Sequence, residues 1–203
     1  ELLHLIDRVA AIAGNQNVPV VLCVNKTDLE SGESLTHIYR HAGFPVFPTS
    51  AASGEGVAAL HEAVRGKTVA FTGNSGVGKS TLINRLLPGL NLKTGAVSTS
   101  HHKGMHTTTF SEMFPLPEGG YIIDTPGVKG FGTIDFDTRE IAHYFPEIFH
   151  VSRLCKFNNC THRHEPGCAV LAAIENHEIS ESRYASYLSI IDDSSDGKYR
   201  APF

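Results

Sequence analysis

A chain of 203 residues, 41% of them apolar, is long enough for one substantial core and an appendage, and it lacks the composition of a disordered or fibrous protein. A net charge of −4 excludes a whole-chain basic field, so any nucleic-acid contact has to come from a local patch. No apolar run approaches the roughly 20 residues of a membrane span and no secretory signal opens the chain, so a cytoplasmic protein without a membrane partner is expected. Glu rather than Met at position 1 is expected of a piece with further sequence in front of it.

Residues 2–13 carry apolar side chains at helical spacing, and Gly14 offers a stop. The continuous apolar run 18–24 has the pattern of a strand buried on both faces, with Cys23 as a small core residue. A helix is predicted over 34–42, a short strand and loop over 44–51, and another helix over 57–64. A strand at 67–72 runs into a glycine loop, a helix opens over 80–87, and residues 91–109 form a long polar loop. Segments 110–114 and 121–124 read as a strand pair around the turn PLPEGG. Strands alternating with helices predict an α/β fold with a doubly wound, mostly parallel sheet. After about residue 139 short helical pieces surround a Cys/His cluster, and 169–191 reads as a helix hairpin before a solvated tail. Two domains are expected, 1–139 and 140–203, the second small and helical.

The first chemistry-bearing motif is Gly73-Asn74-Ser75-Gly76-Val77-Gly78-Lys79-Ser80, followed by Thr81. It fits G-x-x-x-x-G-K-[ST] in full, between a strand and a helix. Its glycines let successive N–H groups turn toward phosphate oxygens, and the following helix adds its positive end. Lys79 would reach the β- and γ-phosphates and Ser80 would hold Mg²⁺. On the next predicted strand, Asp124-Thr125-Pro126-Gly127 supplies a carboxylate for Mg²⁺ and, at Gly127, an N–H for the γ-phosphate.

At the front of the chain stands Asn25-Lys26-Thr27-Asp28, a set suited to gripping guanine. The Asp28 carboxylate accepts from guanine N1 and N2, each bond worth about 1.5–3 kcal/mol, whereas adenine offers no matching pair of donors. Lys26 would lay its stem over the base and Asn25 would brace the loops. Thr49-Ser50-Ala51 suits the companion loop, with Ser50 and Ala51 beside the guanine oxygen.

These pieces run in an unusual order: base grip, base loop, phosphate loop, a Thr-rich segment at 107–109, then D-T-P-G. With GMHTTT (104–109) and the Cys/His cluster, the order resembles the circularly permuted, ribosome-small-subunit-dependent GTPases called RsgA or YjeQ. The resemblance implies binding of GTP and GDP with Mg²⁺ and slow GTP hydrolysis stimulated by the small (30S) ribosomal subunit late in its maturation. It further implies rRNA as a partner, and a monomer is expected. Family members carry an amino-terminal OB-fold, which this sequence does not include, so full activation by the ribosome is not expected of this piece. Many GTPases place Gln after D-x-x-G, but Val128 occupies that position and cannot orient water. His106, before the threonines, is the substitute that the resemblance also suggests, with Thr107 or Thr108 closing on Mg²⁺. The alternative function is a GTP-regulated protein-binding switch that acts away from the ribosome.

Cys155, Cys160, His162 and Cys168 form a C-x₄-C-x-H-x₅-C set, matching the Cys₃His donors of one closed structural zinc site, as in the family. His164 is the competing histidine. A loop-rich module of this size is expected to have little core of its own, so that metal binding decides whether it folds. Arg153, Lys156 and Arg163 nearby form a local basic surface that can rest against rRNA phosphates.

Overall fold

The computed structural model describes residues 2–92, 111–127 and 136–195, which divide into two compact units. Among the described residues, those within Leu22–Thr36 and Val46–Lys129 form one unit, which contains every strand, and those within Glu1–Val21, His37–Pro45 and Gly130–Phe203 form the other, which is helical.

In the sheet-bearing unit, β1 (Leu22–Val24) pairs in parallel with β2 (Val46–Pro48), Leu22 opposite Val46. A second ladder runs β3–β5–β4: β3 (Val69–Phe71) is parallel to β5 (Tyr121–Asp124), and β5 is antiparallel to β4 (Glu112–Pro115). The antiparallel pair follows from its short connection, closed by Leu116 N–H donating to Gly120 O at 3.0 Å, since parallel strands need a long crossover. Pro115 is tolerated because β4 is the edge strand, where a missing N–H leaves no ladder partner unmet. Helices α3 (Val57–Val64) and α4 (Lys79–Leu86) bury Leu60, Val64, Leu82, Ile83 and Leu86 with Leu116 and Ile122 in one apolar cluster. Between β1 and β2 lies α2 (Glu33–His41).

The strand expected over 18–24 is shorter. Val18 and Val21 are exposed, Pro19 has no N–H for a ladder, and Val18 N–H instead donates to Ala13 O at 2.8 Å. A run that reads as buried strand is therefore partly a connection.

The helical unit contains α1 (Leu2–Asn15), a 3-10 turn at Ile141–Tyr144, α5 (Pro146–Ser152), α6 (Ala169–Glu175) and α7 (Glu181–Ser195). Ala11 of α1 joins Ile141, Phe145, Ile148, Val170, Ala173, Ile179, Tyr187 and Ile190 in its core. That core is larger than a small, loop-rich module was expected to hold: residues 141–191 supply all of its buried side chains except Ala11, which α1 adds from the far end of the chain.

Among these apolar side chains, Arg183 is 1% exposed. Its Nη1 donates to Asp7 Oδ1 at 2.6 Å, and its Nε and Nη2 reach the two Glu147 oxygens at 2.7 and 3.0 Å. The Phe145 ring lies 4.6 Å from the guanidinium carbon, with the Tyr39 and Phe44 rings also within 5.4 Å. Tyr39 donates its hydroxyl to Asp7 at 2.7 Å, and burial together with that carboxylate pushes its phenol pKa up. One ionic cluster thus ties α1, the end of α2, α5 and α7. No helix among the described residues is long and apolar enough to cross a membrane.

Candidate nucleotide site and metal centre

The base-grip motif leaves β1 with Lys26 in the left-handed region, at φ 69°, a conformation that costs energy for a side-chain-bearing residue. That turn carries Lys26 Nζ to Gly76 O at 2.7 Å, while Asn25 Nδ2 donates to Val77 O at 3.0 Å. Both acceptors belong to the glycine loop, some fifty positions later in the sequence. Asn25 Oδ1 accepts from Thr49 Oγ1 at 3.3 Å and Ala51 N at 3.1 Å. A carboxamide is the side chain that both donates and accepts at this point; Asp would lose the donor.

Asp28 is held by Ser50 Oγ at 2.5 Å. Thr27 contributes its backbone N–H to Thr49 O at 3.1 Å, and its buried hydroxyl has no hydrogen-bond partner among the described residues. Cys23, read as core, also touches this network: its thiol lies 3.1 Å from Thr49 Oγ1, and burial pushes its pKa up.

The glycine loop closes against the same segment. Gly78 has φ 95°, and a Cβ there would collide with the Asn25 amide, so the loop and the base grip approach at a contact only glycine permits. Lys79 Nζ donates to Gly73 O at 2.8 Å and Asn74 O at 3.0 Å, which sets the ammonium among the loop carbonyls. Burial lowers its pKa, with Asp124 opposing that shift. Ser80 Oγ lies 3.3 Å from Asp124 Oδ2, a hydroxyl and a buried carboxylate side by side, the hard oxygen donors that Mg²⁺ takes. Thr125 donates its hydroxyl to Phe71 O at 2.7 Å and so fastens the D-T-P-G turn to β3. A Cβ on Gly127 would stand 2.9 Å from Ser75 N, so this glycine abuts the phosphate loop. Thr81 follows on α4. His106, Thr107, Thr108 and Val128 lie outside the described residues.

In the helical unit the ligand atoms of Cys155, Cys160, His162 and Cys168 all lie within 4.8 Å of one another. Cys155 and Cys168 Sγ are 3.9 Å apart, and His162 Nδ1 stands 3.6 Å from the first and 3.5 Å from the second. A zinc tetrahedron with Zn–S of about 2.3 Å and Zn–N of about 2.0–2.1 Å has S···S edges of about 3.8 Å and S···N edges of about 3.6 Å, so Cys155, His162 and Cys168 are spaced for the ion, with Cys160 near enough to complete the set. His162 is buried and faces the sulfurs through Nδ1; His164 is exposed and outside the cluster. Burial pushes the Cys160 thiol up to about 12 and the Cys168 thiol up as well, and it pushes His162 down, toward the neutral imidazole a metal needs.

Sequence reasoning missed what shapes this loop. His162 sits at φ 60°, and the Glu165 carboxylate accepts from the N–H groups of Thr161, Arg163 and His164 at 2.6, 2.9 and 3.1 Å. Burial opposes ionisation of Glu165, but the Thr161 hydroxyl, which also donates to it, and these N–H bonds hold its carboxyl well below the usual range, so the clamp stands at neutral pH and is lost only in strong acid. Tyr184 adds a hydroxyl bond to His162 O at 2.6 Å from α7. No local pattern marks either residue; an acidic side chain four positions after Thr161 is the only hint. Removing any metal held by this set with a chelator is expected to expose Cys155, Cys160 and Cys168 to alkylation while helical circular dichroism holds, because Cys168 is the one residue of the loop among the buried core residues and the others lie on the helices and their connections. Mass spectrometry of the labelled peptides measures it.

A family model for RsgA GTPase matches residues 2–134. The chain is 57% identical to the small ribosomal subunit biogenesis GTPase RsgA of Bacteroides fragilis and 50% identical to that of Porphyromonas gingivalis, over 98% of its own length and 66% of theirs. Among solved structures it is similar to YjeQ from Thermotoga maritima, with a TM-score of 0.74 and 34% identity over 95% of this chain and 66% of that one. It is also similar to YloQ, a circularly permuted GTPase, with a TM-score of 0.72 and 29% identity over 98% of this chain and 64% of that one. The chain thus spans just under two thirds of the relatives it matches. A permuted order of motifs, closed into one site by contacts between Asn25, Lys26 and the glycine loop, and a match over most of the chain lead to one conclusion: the protein belongs to the RsgA GTPase family.

Proposed function

We propose that this chain binds GTP and GDP with Mg²⁺, hydrolyses GTP to GDP and phosphate, and serves late maturation of the 30S ribosomal subunit, which stimulates it. The observation that carries the reading is the chain of contacts Ser50–Asp28, Asn25–Val77, Lys26–Gly76 and Ser80–Asp124, which links the base grip, phosphate loop and metal carboxylate despite their sequence order. In this reading Asp28 accepts from guanine N1–H and N2–H, and Asn25, Lys26, Thr27, Ser50 and Ala51 shape the base pocket. Residues 73–81 cradle the phosphates by backbone N–H groups, with Lys79 on the β- and γ-oxygens and the Gly127 N–H on the γ-phosphate. Mg²⁺, when bound, offsets the charge that builds on the phosphate oxygens. Ser80, Asp124 and Thr107 or Thr108 would hold it.

His106 orients the water that attacks the γ-phosphorus. His106→Ala is expected to slow turnover about 10²-fold and to leave nucleotide affinity intact, as single-turnover phosphate release and titration would record; an unchanged rate ends the assignment.

Functionally, residues 1–139 form the GTPase domain and 140–203 the zinc-binding domain. Zinc there supplies a structural cross-link through Cys155, Cys160, His162 and Cys168, with no open position for catalysis. Arg153 and Lys156 are exposed and suit rRNA phosphates, whereas Arg163 is paired with Asp192. The protein acts as a cytoplasmic monomer. The deciding experiment is the GTPase rate with and without purified small subunits, for this chain and for a version extended to the length of its relatives. Stimulation of the extended version supports the reading, and a flat response in both removes the ribosomal role.

A further inference from the structure

Arg85 plays no part in the reading above. It lies on α4, six residues beyond Lys79, with its side chain turned to the base loop. Its Nε donates to Ala51 O and its Nη2 to Ala52 O, both at 2.8 Å. The same loop is held from its other side, where Ala51 N–H donates to Asn25 Oδ1 and Ser50 Oγ holds Asp28. The loop is therefore clamped between the base-reading segment and the helix that begins at the phosphate loop.

Peptide geometry gives the clamp a consequence. In a planar trans peptide the N–H points opposite to the preceding C=O, and no peptide among the described residues is cis. Fixing Ala51 O on Arg85 therefore aims Ala52 N–H away from α4. Fixing Ala52 O likewise aims Ser53 N–H away, and that N–H is found on Ser50 Oγ at 3.1 Å. Arg85 thus fixes the two peptide planes that follow Ala51 and Ala52, in a turn otherwise closed by Gly54 N–H donating to Ser50 O at 2.8 Å and Ser50 N–H donating to Glu55 O at 2.9 Å. The planar fork matters here: Nε and Nη2 are two donors at fixed spacing, whereas a lysine in the same place offers a single mobile centre.

We infer that Arg85 is a positioning residue for guanine readout: by fixing the Ala51 and Ala52 carbonyls from α4 it holds the Ala52 N–H ready for the 6-oxo group of the base, and it thereby sets how long a guanine nucleotide stays bound. This inference rests on the guanine-nucleotide site proposed above. Arg85 touches no nucleotide atom in this role. Because Lys79, Ser80 and Arg85 share one short helix, the phosphate and base ends of the site are coupled through a rigid element rather than through the ligand alone.

The test compares the unaltered chain with R85K, R85Q and R85A. Dissociation of fluorescent GDP is measured beside equilibrium affinities for GDP, 6-thio-GDP, ADP and inorganic tripolyphosphate. Loss of two charge-assisted bonds at a partly solvated site should speed GDP release about 10-fold in R85A, with R85K between it and the unaltered chain. Preference for GDP over its 6-thio analogue, which keeps N1–H and the 2-amino group, should shrink in R85A. Tripolyphosphate, which contacts no part of the base loop, should bind all variants alike. Unchanged GDP release in R85A and R85Q overturns the inference, and so does an equal loss of tripolyphosphate binding, which would mark general loosening. R85Q keeps most of the side-chain stem, so a folding defect confined to R85A does not shield the idea. An unaltered chain that binds ADP as tightly as GDP removes the guanine-nucleotide reading itself, and the role of Arg85 falls with it.

Discussion

Arg183→Met is expected to destabilise the helical unit by about 3–5 kcal/mol, the cost of leaving buried charge without its partner. Arg183 answers two carboxylates, Asp7 and Glu147, at 2.6 and 2.7 Å, and all three side chains are almost wholly removed from water. Methionine keeps much of the volume and packs well against the Phe145 ring, so the loss isolates electrostatics rather than a cavity. Asp7 would retain only the Tyr39 hydroxyl on Oδ1, and its Oδ2 already lacks a hydrogen-bond partner among the described residues. For a chain of this length the thermal midpoint should fall by about 6–20 °C. Adding Asp7→Asn and Glu147→Gln removes the stranded charges and should recover a large part of the loss, a coupling that single substitutions cannot show. Chemical denaturation followed by helical circular dichroism reads both. A midpoint within 1 kcal/mol (about 2–4 °C) of the unaltered chain would mean the cluster is solvated and of little weight.

Asp28→Asn is expected to weaken GDP binding about 10²- to 10⁴-fold and to create affinity for xanthosine diphosphate. A carboxylate accepts from both N1–H and the 2-amino group of guanine; a carboxamide accepts once and presents a donor to that amino group. Xanthine carries N1–H and a 2-oxo oxygen, which match the carbonyl and the NH₂ of Asn. Ser50 Oγ fixes Asp28 Oδ1 at 2.5 Å, so the substituted side chain should keep its place and change only its hydrogen-bond sense. Calorimetric titration of both nucleotides decides it. Retained GDP affinity in Asp28→Asn would show that the residue does not meet the base.

Much of this molecule was legible before folding. The glycine loop with its following helix, D-T-P-G at the end of β5, and the Cys₃His spacing each depend on a few contiguous residues whose backbone and donor chemistry are set locally. Element types were legible where apolar spacing or a flanking motif marked them: α1 by its helical spacing, β5 by a continuous apolar run ending in D-T-P-G, and α4 by the glycine loop before it. The run 18–24 misled because apolarity reports burial, whereas the ladder needs N–H groups, and Pro19 removes one. Asp7 carried a faint signal, since it shares a helical stripe with the buried Ala10 and Ala11, yet nothing in α1 names Arg183 as its partner.

From the sequence alone come the motif inventory, their permuted order, the α/β class and the family resemblance, because each follows from short-range sterics or from a pattern along the chain. Tertiary structure alone decided that Asn25 reaches Val77, that Arg85 grips the 51–52 carbonyls, that His162 rather than His164 faces the sulfurs, and that α1 packs in the helical core with Asp7 on Arg183. Those pairings join residues far apart or choose between near neighbours, and packing selects them through distance and shared burial, which residue order does not encode.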